Sequence, residues 1–199
     1  MVEIRFHSLG GQGAVTLINL LAKAGDAVGK HVQAFPFFGA ERRGAPVRTY
    51  LRVDDEPIAL RSQIYAPDFL VVMESSLLEA ALAEGTKEET VILLNAGKEE
   101  AERKTRNLPY TVYCVDATSI SVELGMVVEG MAVLNIPFLG AVSYVTEIIS
   151  LDVVTEVLRK NIPASRLEAS MEAARLGFTS VVKVKEAEDR ARRGRSAAS

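Results

Sequence analysis

A chain of 199 residues that is 48% hydrophobic can bury a substantial core as one domain, or as one domain plus an arm. Its formal charge of −3 and pI near 5.6 argue against a general nucleic-acid binder, which needs a basic surface or patch. Cys114 is the single cysteine, and His7 and His31 are the two histidines. The chain therefore lacks the thiols for an internal disulfide or a four-cysteine iron–sulfur site, and a self-contained zinc site is not expected.

Val2–His7 reads as a buried strand and runs into Ser8-Leu9-Gly10-Gly11-Gln12-Gly13. A helix is expected from Gly13 to about Val28, with Ala14, Ile18, Leu21 and Ala22 on its apolar face and Leu17 and Leu20 widening the stripe. His31–Pro36 is extended. Val47–Val53 alternates apolar and polar residues, the pattern of a strand with one wet face. Asp54–Pro57 is turn chemistry, and Ile58–Leu60 is expected to return as a short partner, making 46–60 an inserted antiparallel ribbon. Phe69–Met73, Thr90–Asn95 and Tyr110–Val115 are apolar runs of the kind found in parallel sheets covered on both faces. Helices are expected over 117–130, 138–149, 151–160 and 164–177, with breaks at Pro137 and at Asn161 to Pro163.

Strand alternating with helix predicts an α/β fold: a three-layer sandwich with a mainly parallel, Rossmann-like sheet and an inserted antiparallel ribbon. Residues 1–180 form the domain and 181–199 a basic C-terminal arm. Lys183–Ser199 carries six Lys or Arg and three acidic residues, a composition that stays disordered unless another subunit holds it. No secretory signal precedes the first strand. The charge-free stretch Gly130–Thr146 is short for a bilayer and holds Asn135, Pro137 and Ser143, so it reads as buried core and a cytoplasmic protein is expected.

Glycines between a strand and a helix allow a tight turn and let backbone N–H groups approach a phosphate at the positive end of the helix. In a dinucleotide fingerprint, G-x-G-x-x-G, the three positions here are Ser8, Gly10 and Gly13. The acidic residue expected about 20 positions further on, for an adenosine ribose, is missing from Ala34-Phe35-Pro36-Phe37. Independent NAD binding is disfavoured. A phosphate-bearing ligand at Gly10, Gly11, Gln12 and Gly13 and an ordinary close-packed turn both stay open. Downstream, Arg42 and Arg43 sit between Glu41 and Gly44. Adjacent guanidinium groups suit a carboxylate or phosphate, or an ion pair within or between subunits. Asp116 and Glu74 follow strand ends, where α/β ligand crevices form, but helix capping explains Asp116 equally well. No Ser/His/Asp or Cys/His constellation is evident, so no catalytic residue and no metal ligand is assigned.

RFHSLGGQGAVT, the later QAFPFFGAERRGAPVR and NIPFLGA at 135–141 together resemble the gamma subunit of the 2-oxoacid:ferredoxin (acceptor) oxidoreductases, over about residues 2–178. The family loop usually begins with Gly where Ser8 stands, and often has Pro where Ala40 stands. The resemblance implies a subunit of a cytoplasmic complex that decarboxylates a 2-oxoacid oxidatively with coenzyme A, giving acyl-CoA, carbon dioxide and two electrons. It implies thiamine diphosphate and iron–sulfur clusters in partner subunits of alpha, beta and delta type, and ferredoxin or another acceptor docking on those partners. It also makes Gly10–Gly13, Arg42 and Arg43 the coenzyme A contact candidates. A purely structural subunit and, less favoured, a stand-alone nucleotide-binding oxidoreductase are the alternatives.

Overall fold

The computed structural model describes residues 1–37 and 43–187. In chain order the elements are β1 (Val2–Leu9), α1 (Ala14–Ala27), β2 (His31–Phe37), β3 (Pro46–Asp54), β4 (Phe69–Val72), a 3-10 turn (Ser75–Leu77) and α2 (Leu78–Ala83). There follow β5 (Val91–Asn95), α3 (Lys98–Thr105), β6 (Thr111–Val115), α4 (Ala117–Glu123), β7 (Val127–Val128) and β8 (Met131–Ala132). The chain continues through α5 (Asn135–Thr146), α6 (Leu151–Asn161), α7 (Ala164–Thr179) and β9 (Val182–Lys185).

The main sheet has the order β2-β3-β1-β4-β5-β6-β9. β1, β4, β5 and β6 pair in parallel, while β3 runs antiparallel between β1 and β2, and β9 runs antiparallel on β6. The short apolar strands work because each face has its own cover. Val71 and Leu93 face a core shared with α1, α5, α6 and α7, whereas Leu70, Val72, Ile92 and Leu94 face α2 and α3. Fully buried side chains such as Phe6, Leu17 and Leu139 each contribute about 1.5–3 kcal/mol through removal from water. The result is a three-layer α/β sandwich.

Local chemistry sets the ends. Asp116 caps α4, its Oδ1 accepting from the Ser119 N–H at 2.9 Å. Ser150 caps α6, which carries Asp152 in its first turn and Arg159 and Lys160 in its last, matching the helix dipole at both ends. Pro137 does not break a helix, because it lies in the first turn of α5, where a missing N–H costs nothing.

Four expectations are corrected. Ile58–Leu60 forms no strand, and the antiparallel ribbon is β2 with β3. The helix expected over 117–130 stops at Glu123. Gly125 follows with φ +67, and the chain then makes the β7–β8 hairpin around Glu129 and Gly130, both with positive φ. The next helix begins at Asn135 rather than at 138 and ends at Thr146. The face of β3 expected to be wet is covered at Tyr50 and Arg52, each 1% exposed. The basic arm begins as a strand, with Lys183 and Lys185 on the sheet edge. Among the described residues no helix is long and apolar enough to cross a membrane.

Candidate functional site

β1 and β4 are parallel neighbours, yet the chain leaves them in opposite directions. After β1 it enters α1 in the layer of α5–α7; after β4 it enters α2 in the other layer. Where adjacent strands send their connections to opposite faces, a crevice opens beyond their carboxyl ends, and this is where open α/β sheets bind ligands. The glycine turn lies at that point. Gln12 bridges it, its Nε2 donating to Glu74 Oε2 at 3.2 Å beyond the end of β4.

The turn spends much of its polar capacity on itself. Leu9 N–H donates to Gln12 Oε1 at 2.8 Å, and the Gln12 carbonyl accepts from Leu134 N–H at 2.9 Å. Gly10 extends the β1–β3 ladder, donating to the Ala45 carbonyl at 2.8 Å and accepting from Gly44 N–H at 3.0 Å. Gly11 and Gly13 differ. They hold φ of +101° and +90°, a region that strongly favours glycine, and Gly13 is the N-cap of α1. A Cβ on Gly11 would stand 2.9 Å from Met131 Sδ and 3.5 Å from Arg43 Cγ.

Arg43 thus lies beside Gly11. It is held by the β7–β8 hairpin, donating from Nη2 to the Val128 carbonyl at 2.8 Å and pairing with the Glu129 carboxylate. The structure brings Gly10, Gly11, Gln12, Gly13 and Arg43 into one neighbourhood. Arg42 lies outside the described residues.

Behind the crevice, on the α2 side, sits a buried cationic side chain that sequence periodicity does not reveal. Arg5 is 1% exposed and donates to the carbonyls of Ile64, Tyr65, Ala81 and Gly85 at 2.7–3.2 Å, closing the carboxyl end of α2. Arg5 Nε also donates to His7 Nε2 at 3.1 Å, so the His7 proton sits on Nδ1. Burial, reinforced by Arg5 and Arg48, pushes His7 down to about 3. The approach of His7 to Glu84 at 3.9 Å is consequently not an ion pair; Glu84 is matched by Arg48 at 3.1 Å. Cys114 is no nucleophile either, since burial raises its thiol to about 11.

Among the described residues, three buried side-chain polar atoms have no hydrogen-bond partner: Ser8 Oγ, Thr49 Oγ1 and Asn135 Oδ1. Asn135 touches the turn directly, because a Cβ on Gly13 would stand 3.0 Å from Asn135 Cβ. It lies in the NIPFLGA segment, whose uncharged run signals buried core and hides the polar residue at its start.

The model of the pyruvate ferredoxin/flavodoxin oxidoreductase family matches residues 3–180. The chain belongs to this family. Within it the chain is a gamma-type subunit: it is 42% identical over 181 residues to the pyruvate/ketoisovalerate oxidoreductases common subunit gamma of Pyrococcus furiosus, covering 89% of this chain and 96% of that one. The crystal structure of pyruvate oxidoreductase subunit PORC from Thermotoga maritima superposes with a TM-score of 0.79 at 34% identity, over 92% of this chain and 98% of that one. The fold also recurs in the 2-oxoglutarate:ferredoxin oxidoreductase of Magnetococcus marinus, solved with 2-oxoglutarate, coenzyme A and succinyl-CoA bound. There the TM-score is 0.74 at 19% identity, over 94% of this chain and 33% of that much longer one.

Proposed function

We propose that this gamma-type subunit serves a complex that oxidatively decarboxylates a 2-oxoacid with coenzyme A, yielding acyl-CoA, carbon dioxide and two electrons for an acceptor such as ferredoxin. In this reading the chain contributes coenzyme A contacts from Gly10–Gly13, Arg42 and Arg43, and interface surface to partners of alpha, beta and delta type. The observation that carries the reading is Arg43 poised beside Gly11 at the carboxyl end of β1, where the sheet opens. A guanidinium next to a glycine turn and a helix N-terminus is complementary to the phosphate and pyrophosphate groups of coenzyme A. That a fold relative was solved with coenzyme A bound supports it.

Thiamine diphosphate and the iron–sulfur clusters belong to the partners. One cysteine and two histidines do not make a cluster ligand set, so the residues of this chain bind and orient the thiol substrate rather than carry electrons. Residues 1–180 make up the oxidoreductase domain, a boundary supported by the end of the family match. The basic arm 181–199 starts on the domain's own sheet, where Val182–Lys185 pairs with β6.

A second reading, a purely structural subunit, draws on one observation: Gly11 and Gly13 are already required by Met131 and Asn135, and Arg43 is already paired with Glu129. Anaerobic purification of the tagged chain from its native cell tests the proposal. Co-purifying subunits that contain iron and thiamine diphosphate and oxidise a 2-oxoacid only with coenzyme A would support it. A lone, cofactor-free monomer or dimer would overturn it.

A further inference from the structure

A groove of about 950 Å³ runs between the first turns of α6 and the stretch of α7 from Ala164 to Arg175, with Leu124, which follows α4, also in its wall. Its floor is apolar. Leu124, Leu151, Leu167 and Met171 pack on the main core with one side and stay partly exposed with the other. Three carboxylates stand around them. Glu172 is matched within its own helix by Arg175, at 2.6 and 2.8 Å. Asp152 and Glu168 are exposed and pair with no cation among the described residues.

Apolar surface beneath unmatched negative charge suits arginine, which lays its methylenes on Leu and Met while its guanidinium reaches a carboxylate at the rim. The chain's own carboxyl-terminal segment has that chemistry. Residues 188–199 lie outside the described residues; their sequence, EDRARRGRSAAS, holds four arginines against two acidic residues and no large apolar side chain. The charge of this segment is thus complementary to the groove.

The segment is also long enough. Ala187, the last described residue, donates its backbone N–H to Thr111 Oγ1 at 3.1 Å, at the start of β6. Between Ala187 and Arg175 lie β9, a short link and the last turn of α7. Laid end to end, those pieces span at most about 35 Å. An extended segment from 188 to 199 reaches about 40 Å. Such a short tether holds its end at an effective concentration of about millimolar, so a contact too weak to join two molecules is populated within one.

We propose that the arginine-rich end of this chain docks in the groove between α6 and α7 of its own subunit. Guanidinium groups from Arg190 to Arg195 pair with Asp152 and Glu168, and their stems cover Leu167 and Met171. The arm thereby shields apolar surface of its own domain, independently of any ligand at the glycine turn.

The test places a nitroxide on the full chain at Ser196→Cys and reads line broadening by NMR. Cys114 does not compete for the label, because it is buried and its thiol is raised to about 11. The Leu167 and Met171 methyl signals should lose at least half their intensity, and the loss should not change on tenfold dilution. It should shrink by half or more in 1 M NaCl, where the Debye length is about 3 Å, and in Glu168→Lys. Sharp groove signals at low salt would overturn the proposal. So would broadening that appears on isotope-labelled chains only when nitroxide-bearing chains are mixed in, which would make the occupant a second copy. Broadening indifferent to both salt and Glu168→Lys would overturn it as well. The salt series decides charge dependence even if that variant does not fold.

Discussion

Gly140 and Gly177 bring α5 and α7 into backbone contact. A Cβ on Gly140 would stand 1.9 Å from the Ala174 carbonyl oxygen, and one on Gly177 2.0 Å from the Pro137 carbonyl oxygen. Neither obstacle is a side chain that can swing aside. The pair fixes how α5 lies, and with it the position of Asn135 against Gly13 at the head of the same helix.

Gly140→Ala and Gly177→Ala should each destabilise the chain by about 3 kcal/mol, because the helices must separate and leave poorly packed surface behind. Gly97→Ala, where nothing stands within 4 Å of the new methyl, should cost less than about 1 kcal/mol. Urea unfolding of the three variants makes the comparison. Equal losses at Gly97 and Gly177 would contradict the close contact.

Stability should fall as the solution is acidified below the ordinary His range. His7 is held down to about 3 in the fold, against 6.5 when free, so between those values the unfolded chain binds the extra proton and gains from it. At pH 5, 1.5 units below the free value, the loss is about 2 kcal/mol at 1.36 kcal/mol per unit. The stabilisation is complete above 6.5 and drains away toward 3. His7→Gln keeps an acceptor for Arg5 Nε and should flatten the slope of unfolding free energy between pH 7 and 5. An unaltered slope in that variant would place the titrating group elsewhere.

Much of the scaffold is legible in the sequence, and the reason is physical. Phe69–Val72 and Val91–Asn95 are covered on both faces, which leaves uninterrupted apolar runs, and the glycines of the turn mark backbone that must take positive φ. What periodicity misreads is burial of charge. Arg52 looks like the wet side of a strand, but the Glu3 carboxylate and the Gln33 side-chain oxygen satisfy it at 2.8 Å. Arg5, a charge inside a strand that reads as buried, is satisfied by the carbonyls of Ile64, Tyr65, Ala81 and Gly85. The β7–β8 hairpin was hidden by helical-looking residues, although Gly125 and Glu129-Gly130 are its punctuation. Of the site, Gly11, Gly13 and Arg43 could be named from sequence. Asn135 could not be, because its significance comes from a missing partner.

Arg43 is restrained by Glu129, and that restraint should compete with a ligand. Glu129→Gln removes the opposing charge while leaving the Val128 carbonyl contact in place, so KM for coenzyme A in the assembled complex should fall about two- to fivefold, within the range of an exposed ion pair. Steady-state kinetics with the 2-oxoacid saturating gives the answer. A raised KM would mean that Glu129 positions Arg43 productively rather than withholding it.

The most direct test of the account replaces Arg43 with Gln in the intact complex and measures KM for coenzyme A and for the 2-oxoacid separately. Loss of a charge-assisted contact to phosphate should raise KM for coenzyme A about tenfold or more, with KM for the 2-oxoacid and the subunit composition unchanged. Unchanged coenzyme A kinetics, or a complex that falls apart, would contradict a coenzyme A contact at Arg43 and leave the chain as a structural subunit.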